Sequence, residues 1–282
     1  MVVQLLPDVV EGVSALPPES SRHKKGLLRP TFSPEHGVLL VLLCAVLTGA
    51  SLAQAWTSDT SLACLAAFLA LQAEHPLIVQ IKQRRRWRPR YLFWAGLYGV
   101  LALAIALWLS MRHPILFGIG IVSILALCFD IVAVLRHQQK SITNEIVMFG
   151  AICLSTLFVY GATADVLTFH ALGLWLLNSL FFSSAVFSVK LRKQKTCSLK
   201  AGFIYHAWAV AMLTAVYWLG WLSLPTALTF AIALLKLAVI ARWQHWYRTC
   251  RFEYIARFET YFALSYTVLV ALTILPPTLP PR

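Results

Sequence analysis

Four ionisable residues that hydrocarbon tolerates poorly lie at similar distances in sequence from a basic residue. Glu74 is eight positions before Lys82, Asp130 six before Arg136, His206 six after Lys200 and Lys236 six before Arg242. At about 1.5 Å of helical rise per residue, all four would lie roughly 9 to 12 Å from the level of those basic side chains. His75 sits beside Glu74, and Glu259 follows closely on Arg257. An ionisable side chain in hydrocarbon costs a few kcal/mol, so such groups face a bundle interior, pair with each other or line a wet cavity. The expectation is a polar chamber in which Glu74 and Asp130 are matched by Lys236 and His206. Each residue also has a plainer reading. Lys236 could snorkel to the headgroups, the carboxylates could form a structural ion pair, and His206 could be a packing donor. Glu259, near a helix start, would suit the dipole there. Asn178, far from any basic marker, reads as interhelical glue.

The elements that must position these residues are long apolar stretches separated by alternating basic and nearly uncharged gaps. Of the 24 Lys and Arg residues, all but Arg112, Lys236 and Arg282 fall in the amino-terminal tail or in alternate gaps. Basic loops stay on the cytosolic side. The pattern therefore predicts an all-α, polytopic membrane helix bundle of nine transmembrane helices, with the amino terminus inside and the carboxyl terminus outside. The spans are expected at about 37–56, 62–81, 91–110, 114–135, 145–164, 167–189, 202–222, 226–241 and 258–275. Residues 1–35 would be a cytosolic basic, proline-containing tail, 36–275 the membrane domain and 276–282 an external tail. Tryptophans support the boundaries, with Trp56, Trp108, Trp218 and Trp221 at outer ends and Trp87, Trp94, Trp243 and Trp246 at inner ends. Trp175 and Trp208 fall outside that belt.

Composition agrees. With 59% hydrophobic and 12% charged residues over 282 positions, the chain lacks the polar surface of a soluble domain, and lipid is its expected solvent. The net charge of +13 lies in short loops flanking the spans, which fits membrane lipids as partners and argues against nucleic acid. The six cysteines contain no CxxC pair and imply neither a disulfide framework nor a metal site. The first twelve residues carry Asp8 and Glu11 without a basic start, unlike a cleaved signal peptide. The sequence calls for no cofactor. There is no GxSxG, HExxH or P-loop pattern.

At Pro34-Glu35-His36-Gly37 the chain resembles the YwiC-like membrane proteins, which open their first helix with a similar Pro-x-x-His-Gly signature. Further landmarks of the resemblance are His75-Pro76 before a basic run, SAVFSVKLRK at the end of the sixth span, Tyr205-His206 opening the seventh, and Glu259 in the last. The likeness covers about residues 33 to 275 and supplies kin without a chemistry. Nine helices with polar groups near the cytosolic side are also similar to UbiA-type prenyltransferases. Those enzymes hold magnesium with two aspartate-rich motifs. Here the corresponding stretches read EHPLIVQIKQRRR, with one acid, and NSLFFSSAVFSVKLRKQK, with none.

Three functions remain open. The leading one is binding, with modification as a further option, of an amphipathic lipid or isoprenoid in an inner-leaflet chamber, its head toward the basic loops. His36, Glu74, His75, Asp130, Arg136, His206, Lys236 and Glu259 are the candidate substrate-binding residues. The second is transport of a small solute or proton with Glu74, Asp130 and Lys236 as relay, for which the outer half offers few polar groups. The third is a non-enzymatic assembly or scaffold protein. The expected location is a bacterial-type inner membrane or a thylakoid-like one.

Overall fold

The structure, a computed structural model, describes residues 31, 36–83, 88–192 and 198–275. Among the described residues eleven helices follow one another: α1 (His36–Ala53), α2 (Ser58–Lys82), α3 (Pro89–Arg112), α4 (Ile115–Leu135), α5 (Ile142–Ala164), α6 (Phe169–Lys190), α7 (Leu199–Trp218), α8 (Leu224–Leu228), α9 (Ala231–Arg242), α10 (Gln244–Thr249) and α11 (Phe252–Ile274). No strand occurs among the described residues. The starts are set locally. Thr57, Ser141, Thr168, Ser198 and Ser223 each turn a side-chain oxygen onto a free backbone N–H of the first turn, and Pro89 opens α3 where no N–H is needed.

Eight segments among the described residues have the length and hydropathy to cross a membrane, with α8 and α9 together forming one of them. Helix α1, with 18 residues, is shorter and would reach about 27 Å. Expected span boundaries shift at several ends, and three of the changes alter how the bundle is built. The stretch expected at 226–241 is broken at Thr229 and Phe230, because the Thr229 hydroxyl donates to the Thr226 carbonyl at 2.6 Å and the backbone tightens to three-residue bonds there. The seventh span ends at Trp218 rather than 222, where Gly220 takes φ +73 and lets the chain turn back. The last helix begins at Phe252, so Glu259 lies two turns inside it and not at its start.

Helix α6 is the axis, with 72% of its span buried, against 17% for α3 and α4 at the periphery. Outward faces there are apolar, as in Val100, Leu103, Ile121, Ile124 and Leu125, which is the arrangement lipid selects and water does not. At the centre, Asn178 of α6 ties three other helices. Its amide donates to the hydroxyls of Thr48 on α1 at 2.8 Å and Thr156 on α5 at 3.0 Å, while Tyr266 of α11 donates to its carbonyl oxygen at 2.8 Å. Thr156 in turn donates to the Ala45 carbonyl at 3.0 Å. Interhelical glue is thus what Asn178 supplies. Trp175, outside the interfacial belt, donates its indole N–H to the Gly150 carbonyl at 3.0 Å.

This junction requires α1 and α5 to touch backbone to backbone. A Cβ at Gly49 would lie 2.5 Å from the Thr156 carbonyl oxygen. Gly49→Ala should therefore push the two helices apart and destabilise the bundle by about 1 to 3 kcal/mol. Gly150→Ala, where a Cβ meets nothing within 4 Å, should be neutral or slightly stabilising. Thermal unfolding midpoints of the two variants in the same detergent check this.

Candidate functional site

Helices α6, α9, α10 and α11 meet around one buried ion pair. Lys236 of α9 donates to Glu259 Oε2 of α11 at 2.9 Å, and its side chain is 3% exposed. The other carboxylate oxygen accepts from Ser188 of α6 at 2.8 Å and from Tyr247 of α10 at 3.2 Å. The six-residue α10 matters here because it carries Tyr247, which has no exposed surface, inward beneath Glu259. Burial and the neighbouring carboxylate both push the Tyr247 phenol up, so it remains a donor. The Lys236 ammonium also lies 5.6 Å from the Phe181 ring, which is itself stacked on Tyr266 at 3.7 Å. Glu259 thus receives three donors. Lys236 makes one described hydrogen bond for its three N–H groups.

His206 of α7 faces the same region. Its Nδ1 lies 2.7 Å from the Gly202 carbonyl, while Nε2 is buried with no hydrogen-bond partner in the structure. A small cavity joins His206 to Lys236, walled by Ser184, Phe187 and Ser188 of α6, Gly202 of α7 and Leu237 of α9. Its free space suits about one water molecule. Gly202 leaves this wall thin, since a Cβ there would meet Leu237 at 3.5 Å.

The remaining candidates lie apart from this cluster. Asp130 of α4 is 2% exposed and accepts from the Asn144 amide of α5 at 2.7 Å, while Asn144 also donates to the Gln139 carbonyl at 3.0 Å. Asp130 Oδ2 and Asn144 Oδ1 are buried without a partner in the structure. Glu74 and His75 are half-buried on α2, which packs along α3. Arg136 is exposed just beyond α4. His36 opens α1, and its side chain lies outside the described residues, as do residues 1–30, 32–35 and 276–282 of the expected tails. The expected matching of Glu74 and Asp130 with Lys236 and His206 is therefore corrected. Lys236 takes Glu259, and Asp130 takes Asn144. Counting residues from a basic marker gives depth along a helix but not the direction a side chain faces. Ser188, Tyr247 and Asn144 were not anticipated, because nothing in the spacing of a serine, a tyrosine or an asparagine marks it as the partner of a distant carboxylate.

Comparison with known families bears on the first half of the bundle. Residues 32–160 match the YwiC-like protein family. Within this YwiC-like stretch lie α1 to α4, most of α5, and His36, Glu74, His75, Asp130 and Arg136. His206, Lys236 and Glu259 lie beyond it, so the buried ion pair belongs to the part of the chain outside the matched segment. No curated protein and no solved structure matches the chain. Among the described residues no three His, Cys, Asp or Glu side chains are grouped as a metal ion would need.

A second ionic cluster joins turns of the first helices to Asp165, just past the matched segment. His113, between α3 and α4, lies 3.1 Å from Asp59 at the start of α2 and 2.7 Å from Asp165 after α5, and Arg112 donates to Asp59 at 2.8 Å. Partial burial opposes charge on the ring, but hydrogen bonds and attraction from the two carboxylates outweigh it and raise His113 above the usual value near 6.5.

Lys236→Met or Glu259→Leu alone should destabilise by about 3 to 5 kcal/mol, since each strands a buried charge, while the double variant should recover most of that loss. Chemical unfolding of the four proteins in detergent measures the coupling. Because His113 binds its proton more tightly when folded, its contribution to stability should be full below its unfolded value and fade as pH rises through the raised folded one. The difference in unfolding midpoint between the parent protein and His113→Asn should therefore shrink from pH 6 to pH 8.5.

Proposed function

We propose that this multi-pass membrane protein binds an amphipathic lipid or isoprenoid at the cavity between α6, α7 and α9, with its head near Lys236 and His206. The observation that carries this reading is the incomplete satisfaction of both polar side chains. Lys236, whose ammonium has one described acceptor, and His206, whose Nε2 has no partner, line one space, walled otherwise by serines, a glycine and apolar side chains. A group that brings its own polar atom on an apolar tail matches that lining. The basic end of the bundle, where Lys190 pairs with Glu145 at 3.1 Å and Arg192 donates to the Cys250 carbonyl at 2.7 Å, would face the cytosol and attract the inner leaflet. The same rule puts the amino terminus inside and the carboxyl terminus outside.

His206, Lys236 and Glu259 form the contact region of this reading, with Asp130 and Glu74 serving separate places in the bundle. The full chain purified in mild detergent should carry a bound amphiphile visible by native mass spectrometry. Gly202→Leu, which fills the cavity wall and leaves every charge in place, should remove at least nine-tenths of that bound species while the amount of protein in the membrane changes little. Equal occupancy in the variant would place the amphiphile elsewhere.

A further inference from the structure

The cavity between α6, α7 and α9 also carries information on the head group it accepts, an inference that rests on the lipid-binding reading. The Gly202 carbonyl can only accept, so the 2.7 Å contact puts a proton on His206 Nδ1. In the neutral ring Nε2 is then a lone pair with no donor, in a residue that is 3% exposed. Across the cavity, Lys236 has N–H groups left over after its bond to Glu259, and it too is buried, at 2%. One wall lacks a donor and the other lacks an acceptor. A hydroxyl supplies both from a single oxygen, giving its hydrogen to Nε2 and taking one from Nζ.

Charge points the same way. Lys236 is the one charged side chain among the described residues lining the cavity, and Glu259 already neutralises it at 2.9 Å. A phosphate or diphosphate would add negative charge to a buried pair whose cation is already used, at a heavy desolvation penalty. The space, which suits about one water molecule, also fits one oxygen better than a phosphoryl group. From these observations we infer that the site selects an uncharged hydroxyl head, an alcohol or a phenol on an apolar tail, over the phosphorylated form of the same lipid.

The test uses the full chain in detergent and three probes with one C20 isoprenoid tail: geranylgeraniol, its methyl ether and its monophosphate. Binding is read by native mass spectrometry titration. The alcohol should bind about tenfold more tightly than the ether, which can accept from Lys236 but cannot donate to His206, and more tightly than the monophosphate. In His206→Ala the alcohol should lose about that tenfold advantage while the ether is unchanged. Alcohol and ether binding equally to the unmodified chain would overturn the inference without any variant. Tightest binding by the monophosphate, lost in Gly202→Leu, would overturn it too while leaving the lipid-binding reading in place. Binding of none of the three would remove both.

Discussion

A lysine ammonium sealed inside a helical bundle has to be met by a carboxylate, and that requirement organises the second half of this protein. Lys236 can be buried on α9 only because α11 brings Glu259 to within 2.9 Å. Glu259 in turn is stabilised by Ser188 from α6 and Tyr247 from α10. Four helices are thereby committed to one another through two charges. The desolvation of such a pair is offset only when its remaining lone pairs and protons are also satisfied. Glu259 meets that condition and Lys236 does not fully meet it. The unmet part belongs to a side chain that lines a small cavity, and so the pair serves both as a structural clasp and as part of that cavity's wall.

The first half is held together by different means. Close approach and neutral hydrogen bonds join its helices to the rest of the bundle at the centre, and charge is paired at one end. Gly49 lets the backbone of α1 reach Thr156, and Asn178 gathers α1, α5, α6 and α11 through hydroxyls and one amide. Small residues and polar glue are the expected devices where lipid removes any hydrophobic drive between helices. At the far end, the Asp59, Arg112, His113 and Asp165 cluster ties the start of α2 and the α3–α4 and α5–α6 turns. The residues matching the YwiC-like family fall within this half. The buried ion pair with its cavity is built from α6, α9, α10 and α11, which follow that segment in the chain.

Much of the candidate site could be named in advance, but not assembled. Lys236, Glu259 and His206 stand out in sequence because ionisable residues are rare in apolar runs. Their partners do not stand out. Ser188 is one of several serines in SSAVFSVK, and Tyr247 sits in a basic stretch that reads as a loop. Asp130 and Glu74 stand at a similar count from a basic residue as Lys236 yet lie on α4 and α2, in the other part of the bundle. Equal depth does not imply proximity, because rise per residue fixes height and leaves rotation and neighbour order open.

What the sequence determined by itself is the class of molecule. Its long apolar runs, alternating basic gaps and capping residues such as Thr57, Ser141 and Thr168 specify helices that bury their backbone polar groups internally, as a bilayer demands. Local chemistry suffices for that, since each helix satisfies its own hydrogen bonds. Tertiary structure alone decided which charges neutralise each other, where the stretch at 226–241 breaks, and that His206 and Lys236 share a space. Those outcomes depend on which helix faces lie side by side, and in a chain whose helices are apolar nearly all round, no periodic stripe marks the faces that will meet.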